Sequence, residues 1–156
     1  MNTASKIHTL NSLQAAITRW RLKSDVIVFT NGCFDILHYG HVEYLESAKS
    51  LGDRLIVGLN SDASVRRIKG KHRPIQDEQS RSRVLCALQC VDAVVIFDED
   101  TPIELIKQIQ PDILVKGGDY TVDQVVGKEW AKRVEIIPFV QGYSTTLIEQ
   151  KIRQNS

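Results

Sequence analysis

Five short apolar, β-branched runs alternate with longer stretches of helical period, and this alternation constrains the fold more than any other feature. Residues 26–30, 54–59, 93–97, 113–115 and 134–138 read as buried strands. Helices are expected over 10–23, capped by Asn11 or Ser12, then over 41–51, 79–90 and 145–153. One more is opened by Asp100-Thr101-Pro102 and ended by Pro111, while Gly52 stops the 41–51 helix. Residues 60–78 read as irregular, with Gly70 and Pro74 as breakers, and 120–132 as a loop with a short helix. The pattern predicts an α/β fold, a doubly wound five-stranded parallel sheet with right-handed crossovers and helices on both faces. At 156 residues the chain is expected to be one domain, with 1–24 as an N-terminal helical extension and 25–156 as the core.

Ligands of such sheets bind beyond the carboxyl ends of the strands. That rule selects 30–41, 60–70, 116–120 and 142–146, which are also the segments rich in Gly, His, Asn, Asp, Ser and Thr. Composition narrows the ligand. Twenty Lys and Arg against nineteen Asp and Glu leave a net charge of +1, without the basic surplus that bulk nucleic-acid binding requires. No apolar run approaches the roughly 20 residues of a membrane helix, so no membrane partner is expected. Cys33, Cys86 and Cys90 are too few for a disulfide framework and read as reduced thiols of a cytoplasmic protein. Cys86 and Cys90 sit four apart among leucines and read as core.

The strongest signal is Thr30-Asn-Gly-Cys-Phe-Asp-Ile-Leu-His-Tyr-Gly-His41. His38 and His41 stand three apart at a helix entry, which puts both imidazoles on one face beside the positive end of the helix dipole. Gly32 and Gly40 remove side chains where a ligand can approach the backbone. Imidazoles and open N–H groups at a helix start make a polyphosphate site. The structural alternative is a capping His38 with a packed His41. A zinc site of Cys33, His38 and His41 is another, although the chain offers no second Cys/His cluster to complete it.

TNGCFDILHYGH resembles the signature of the HxGH nucleotidyltransferases, a superfamily that includes cytidylyltransferases. Within it the chain is most similar to the adenylyltransferases of ADP-heptose synthesis. GLNSDASVRRIKG at 58–70, Arg73-Pro74, VKGGDY at 115–120 and GYSTT at 142–146 carry the likeness, which runs from residue 26 to 153. The resemblance implies a Rossmann-like form of the sheet and AMP transfer from ATP to D-glycero-β-D-manno-heptose 1-phosphate. It implies His38 and His41 as catalytic residues. Thr30, Asn31, Gly32, Cys33, Phe34, Gly40, Lys116, Gly117, Tyr143, Ser144, Thr145 and Thr146 would border the nucleotide. It further implies a homodimer, a separate heptose kinase as pathway neighbour and a role in lipopolysaccharide core assembly.

The remaining candidates have physical readings of their own. Ser144 suits an N-cap, and caps and anion sites draw on the same free N–H groups. Asn60 and Asp62 read either as turn formers or as ligands of sugar hydroxyls. Arg67 and Lys69, from the run Arg66, Arg67, Lys69 and Lys71, are candidate phosphate ligands or part of a solvated face. Lys116-Gly117-Gly118-Asp119 lets backbone pass close to a base or ribose, and Asp119 reads as a turn residue or a substrate ligand. Asp35 is a further candidate for substrate. Lys49, two turns after His41, is expected to reach the same mouth and the α-phosphate.

A sugar phosphate is largely dianionic at neutral pH, its second pKa lying near ~6, so attack on ATP needs no general base. Positioning and charge stabilisation would supply the catalysis. Mg²⁺ is expected, held mainly by ATP phosphates rather than by a protein cage. The competing readings are a cytidylyltransferase acting on glycerol 3-phosphate or phosphoethanolamine, and a nucleotide-sensing module without turnover.

Overall fold

The computed structural model describes residues 2–155. In chain order its elements are β1 (Ile7–His8), α1 (Leu10–Leu22), β2 (Ile27–Gly32), α2 (Tyr39–Lys49), β3 (Arg54–Asn60), α3 (Asp62–Lys69) and α4 (Glu78–Ala87). These are followed by β4 (Ala93–Phe97), α5 (Ile103–Ile109), β5 (Ile113–Gly117), β6 (Arg133–Ile137) and α6 (Thr145–Gln154). Short 3-10 turns stand at Thr3–Lys6, Val122–Gln124 and Lys128–Trp130.

The sheet has six strands in the order β1-β4-β3-β2-β5-β6, and each neighbouring pair is parallel. Successive residues of each strand face opposite layers, and the core divides accordingly. Val28, Leu55, Val57, Leu59 and Val115 meet Tyr44, Leu45 and Ala48 of α2 and Leu85 and Cys86 of α4. Ile27, Phe29, Ile56, Val95 and Leu114 meet Leu13 and Ile17 of α1 and Leu105, Ile106 and Ile109 of α5. Burial on both faces explains why these strands read as continuous apolar runs.

Three expectations change. The sheet has a sixth strand, because Ile7 and His8 pair with Val94 and Val95 at one edge. The N-terminal segment therefore extends the sheet, and α1 helps to form its core, capped by Thr9 rather than by Asn11 or Ser12. Residues 62–69, expected to be irregular, form α3, with the Ser61 side chain accepting from the Ser64 N–H and Asp62 in the first turn. Gly52 stands beyond the Ser50 cap of α2. A Cβ there would lie 2.8 Å from the Val26 carbonyl, so close approach of two chain segments requires glycine at that position.

From β2 the chain winds outward through β3 and β4, then crosses back to place β5 on the other side of β2. Strand order reverses between β2 and β5, and a crevice opens above the carboxyl ends of strands at such a point. The loop after β2 and the turn after β5 border it.

Candidate active site

His38 is the N-cap residue of α2 but makes no side-chain capping bond, so the first N–H groups of the helix face the crevice. One turn on, the His41 ring stacks on that of His38, with centroids 3.8 Å apart and planes 22° apart. Phe34 meets His41 edge-on at 5.2 Å. Phe34 itself holds a left-handed φ of 43°, the tight turn that brings the loop back over the strand end. The Nδ1 atoms of both histidines are buried and have no hydrogen-bond partner among the described residues. Two adjacent polar atoms left open in this way call for a ligand.

A second helix start joins the first. A Cβ on Gly40 would lie 3.2 Å from the Tyr143 Cβ, and the Tyr39 and Tyr143 rings meet edge-on at 4.9 Å. The loop before α6 thus lies against the start of α2. Ser144 caps α6, its Oγ accepting from the Leu147 N–H at 3.1 Å, and Thr145 and Thr146 follow in the first turn. Two helix N-termini and two imidazoles share one mouth, an arrangement fitted to phosphate oxygens.

Burial sets the charge state of the rings. The His41 imidazole is pushed down from 6.5 to about 4, mainly by burial and then by the charge of His38, against a hydrogen bond to the Ile36 carbonyl. Burial lowers His38 as well. Both are neutral at pH 7 in the free protein, each ring then carrying one N–H and one bare nitrogen. In the unfolded chain the same imidazole takes its proton near 6.5, in the folded protein only near 4. The stability contribution is therefore present above pH 6.5 and is lost as pH falls from there to about 4. The urea midpoint of the free protein is expected to fall across that window, and to fall less in His41→Asn. An equal fall in both would assign the acid sensitivity to other groups.

Several candidates are committed elsewhere. Lys49 lies at the far end of α2, where its Nζ pairs with Asp92 at 2.6 Å and with the Asp53 carbonyl. Both partners precede strands, so Lys49 serves the amino-terminal edge of the sheet and not the mouth. A helix advances ~1.5 Å per residue, which carries a side chain eight positions after His41 away from the site. Asp35 is 1% exposed, accepts from the Ile75 and Gln76 N–H groups at 2.9 Å and pairs with Arg73 at 2.5 Å. Those bonds hold its carboxyl below the usual range against the cost of burial, and they pin the 73–76 segment rather than a substrate. Thr30 is fully buried, its hydroxyl bonded to that of Tyr44 at 2.7 Å. Asn60 is 3% exposed and donates to Ser64 Oγ, so it does not present its amide to a sugar. Asp62 pairs with Arg81 at 2.7 Å. Arg67 binds Asp100 at 2.7 Å and the Asp98 carbonyl beyond the end of β4.

Gly117 and Gly118 do admit a close neighbour, but it is the ring of Phe139, 2.7 Å from a Cβ built on Gly117. Asp119 is exposed on the turn that follows. Burial pushes the Cys33 thiol up and the Lys116 ammonium down, and the charge of Lys69 lowers both. Asn31 and Gly32 are the last two residues of β2.

The central residue missing from the sequence reading is Arg81. Its side chain is fully buried and donates to the carbonyls of Cys33 at 2.7 Å, Asn60 at 2.9 Å and Gln76 at 3.0 Å. With Asp62 as its fourth partner, it ties together the loop after β2, the end of β3, the start of α3 and the loop after α3. The available signal was a charge on a buried helical stripe, since Arg81 and Leu85 stand four apart. Among the described residues no group of three or more His, Cys, Asp or Glu side chains is gathered to hold a metal, and Cys33, His38 and His41 do not form one.

The fold and the two helix starts that share one mouth are matched by a known family. The chain belongs to the cytidylyltransferase-like family, whose model matches residues 29–155. It is 56% identical over 156 residues to the bifunctional protein HldE of Geotalea uraniireducens, covering 97% of this chain and 32% of that protein. Its identity to the bifunctional protein HldE of Methylobacillus flagellatus is 55%, over 96% of this chain and 31% of that one. The chain thus spans about a third of the length of these curated relatives. Among solved structures, the lipopolysaccharide core biosynthesis protein of Thermoplasma volcanium is 32% identical with a TM-score of 0.63. That match covers 77% of this chain and 99% of the other. Pantoate-beta-alanine ligase from Francisella tularensis, 16% identical with a TM-score of 0.62, shares the fold. No helix among the described residues is long and apolar enough to cross a membrane.

Proposed function

We propose that this domain transfers AMP from ATP to D-glycero-β-D-manno-heptose 1-phosphate, giving ADP-heptose and pyrophosphate for lipopolysaccharide core assembly. The observation that carries nucleotidyl transfer is the stacked pair His38 and His41, with open buried Nδ1 atoms, facing the N-terminus of α6. The acceptor rests on similarity to the HldE proteins and to the T. volcanium lipopolysaccharide core biosynthesis protein.

In this reading an oxygen of the sugar phosphate attacks the α-phosphorus of ATP in line. A new P–O bond forms as the bond to the β-phosphate oxygen breaks, and pyrophosphate leaves with the electron pair. The acceptor is already ionised, so no side chain needs to remove a proton. His38, His41 and the first N–H groups of α2 and α6 donate to oxygens whose charge grows on the leaving side. The Ile36 carbonyl takes the one N–H of neutral His41, so donation from its open Nδ1 needs a second ring proton, which the polyphosphate charge favours.

The groups around the histidines are nitrogens, hydroxyls and a thiol, and the nearby Asp35 carboxylate is taken by Arg73. That donor set fits Mg²⁺ held by ATP oxygens and water, since the ion prefers oxygen ligands. When bound, it supplies neutralisation of the polyphosphate charge. The reading also carries a cytoplasmic site of action, a homodimer, and a sugar kinase activity that makes the acceptor.

Pyrophosphate release with Mg²⁺ tests the proposal, with ATP and CTP each offered heptose 1-phosphate, glycerol 3-phosphate and phosphoethanolamine. Release with ATP and heptose 1-phosphate alone is the expected result. Release with CTP and a phosphoalcohol would overturn the substrate assignment. ATP binding without release in any combination would overturn turnover itself.

A further inference from the structure

We propose that Arg73 is a positioning residue which, through Glu149, aims the start of α6 at the nucleotide phosphates without touching the nucleotide itself. This deepens the phosphate-site reading above and rests on it, but not on the choice of acceptor. Arg73 lies between α3 and α4, outside both helix starts of the mouth. Its Nε binds Asp35 at 2.5 Å, and a terminal nitrogen of the same guanidinium binds Glu149 at 3.2 Å. Asp35 stands three residues before His38, on the loop that leads into α2. Glu149 stands on α6, five residues after the Ser144 cap. One planar group therefore joins the two halves of the mouth. The Asp35, Arg73 and Glu149 side chains are only 1%, 15% and 23% exposed, so solvent screens this bridge less than it screens a surface pair.

The helix needs such a tie. α6 buries none of its residues, so core packing does little to fix its direction. Tyr143 holds its start against Tyr39 and Gly40 of α2. One point of attachment leaves an axis free to swing, and a second sets its direction. Glu149 supplies the second point, ~7 Å further along at ~1.5 Å per residue. The free N–H groups of a helix start lie along the axis, so whatever sets the axis sets their aim. Hydrogen bonds weaken steeply when donors are misaimed. Arg73 thus makes the histidine loop and α6 one frame, in which a polyphosphate meets both helix starts at a fixed separation. Charge gives this role a distinctive sign. Glu149 is a carboxylate on the helix that faces the phosphates, and by electrostatics alone its removal would tighten the binding of an anion. Loss of aim weakens that binding instead.

Dissociation constants for ATP with Mg²⁺, measured by calorimetry, and melting temperatures would be compared for wild type, Glu149→Ala, Glu149→Lys, Glu149→Gln, Arg73→Lys and Arg73→Lys/Glu149→Ala. Glu149→Ala is expected to weaken ATP binding about fivefold or more, a part of the strength of one charge-assisted hydrogen bond. Its melting temperature should stay close to wild type, because the buried Asp35–Arg73 pair remains. Glu149→Lys, which sets two cations side by side, should weaken ATP further, and Glu149→Gln, which keeps an acceptor for Arg73, should recover most of the loss. An ammonium at position 73 cannot serve both carboxylates as the fork does, so Arg73→Lys should weaken ATP as Glu149→Ala does, and the double variant should lose little more. Unchanged or tighter ATP binding in either Glu149→Ala or Glu149→Lys would overturn the proposal. So would fully multiplicative effects in the double variant, or a loss of affinity that comes only with a large fall in melting temperature. A wild type that does not bind ATP would overturn the nucleotide reading itself, an outcome distinct from any difference among the variants.

Discussion

Replacing His41 by alanine is expected to lower kcat about 10²–10³-fold, the usual effect of removing one donor to developing charge. The ring is half-buried, stacked on His38 and edged by Phe34, and it helps to build the mouth without anchoring a core layer. Loss of its packing should therefore cost only ~1 kcal/mol of stability, the common size for a single substitution. Removing the ring also deprives His38 of its stacking partner, so the two histidines should not act additively. His38→Ala/His41→Ala is then expected to lose less than the product of the single effects. His41→Asn, which keeps a donor near the same place, should recover part of the rate. Steady-state kinetics beside thermal melting decide the matter. Near-normal turnover in a folded His41→Ala protein would remove this ring from the phosphate site.

Arg81→Met should be the most destabilising substitution among the residues considered. It leaves three backbone carbonyls and the Asp62 carboxylate without their shared donor, in a place where the arginine side chain has no exposure to water. Breaking a buried, hydrogen-bonded charge pair from one side costs about 3–5 kcal/mol. For a domain of this size that corresponds to a melting temperature lower by roughly 10 °C. Arg81→Lys should recover little, because an ammonium cannot span four acceptors in a plane as a guanidinium does. The loss should also reach the site. The Cys33 and Asn60 carbonyls that Arg81 grips belong to the loop beyond β2 and to the carboxyl end of β3, so weaker ATP binding is expected to accompany the lower stability. A fall in melting temperature of only a degree or two would show that these loops hold their shape without the clamp.

The parallel α/β architecture was legible because its strands are buried on both faces and its longer helices carry apolar stripes, both local signals. The phosphate mouth was legible for a similar reason. Histidines three apart at a helix entry and a Ser-Thr-Thr helix start each announce themselves within a few residues, and the sheet rule then brings them together. β1 was not legible, because two residues make no periodic pattern and only pairing with β4 makes them a strand. α3 was hidden by its polar sequence, in which only Ser64 and Val65 are buried.

Within the site, the sequence determined which residue types stand at the carboxyl ends of the strands, and tertiary structure decided which of them remain open to a ligand. Asp35, Asn60 and Asp62 have the chemistry of substrate ligands, yet Arg73 and Arg81 from distant segments hold the two aspartates and Ser64 holds the Asn60 amide. Lys49 has the charge, but the rise of α2 sets it at the opposite edge of the sheet. Arg81 reads as one more surface arginine until the fold surrounds it with carbonyls. Local sequence fixes periodicity and capping because those depend on neighbours along the chain. Burial and partner choice depend on residues tens of positions away, and only the folded chain brings those together.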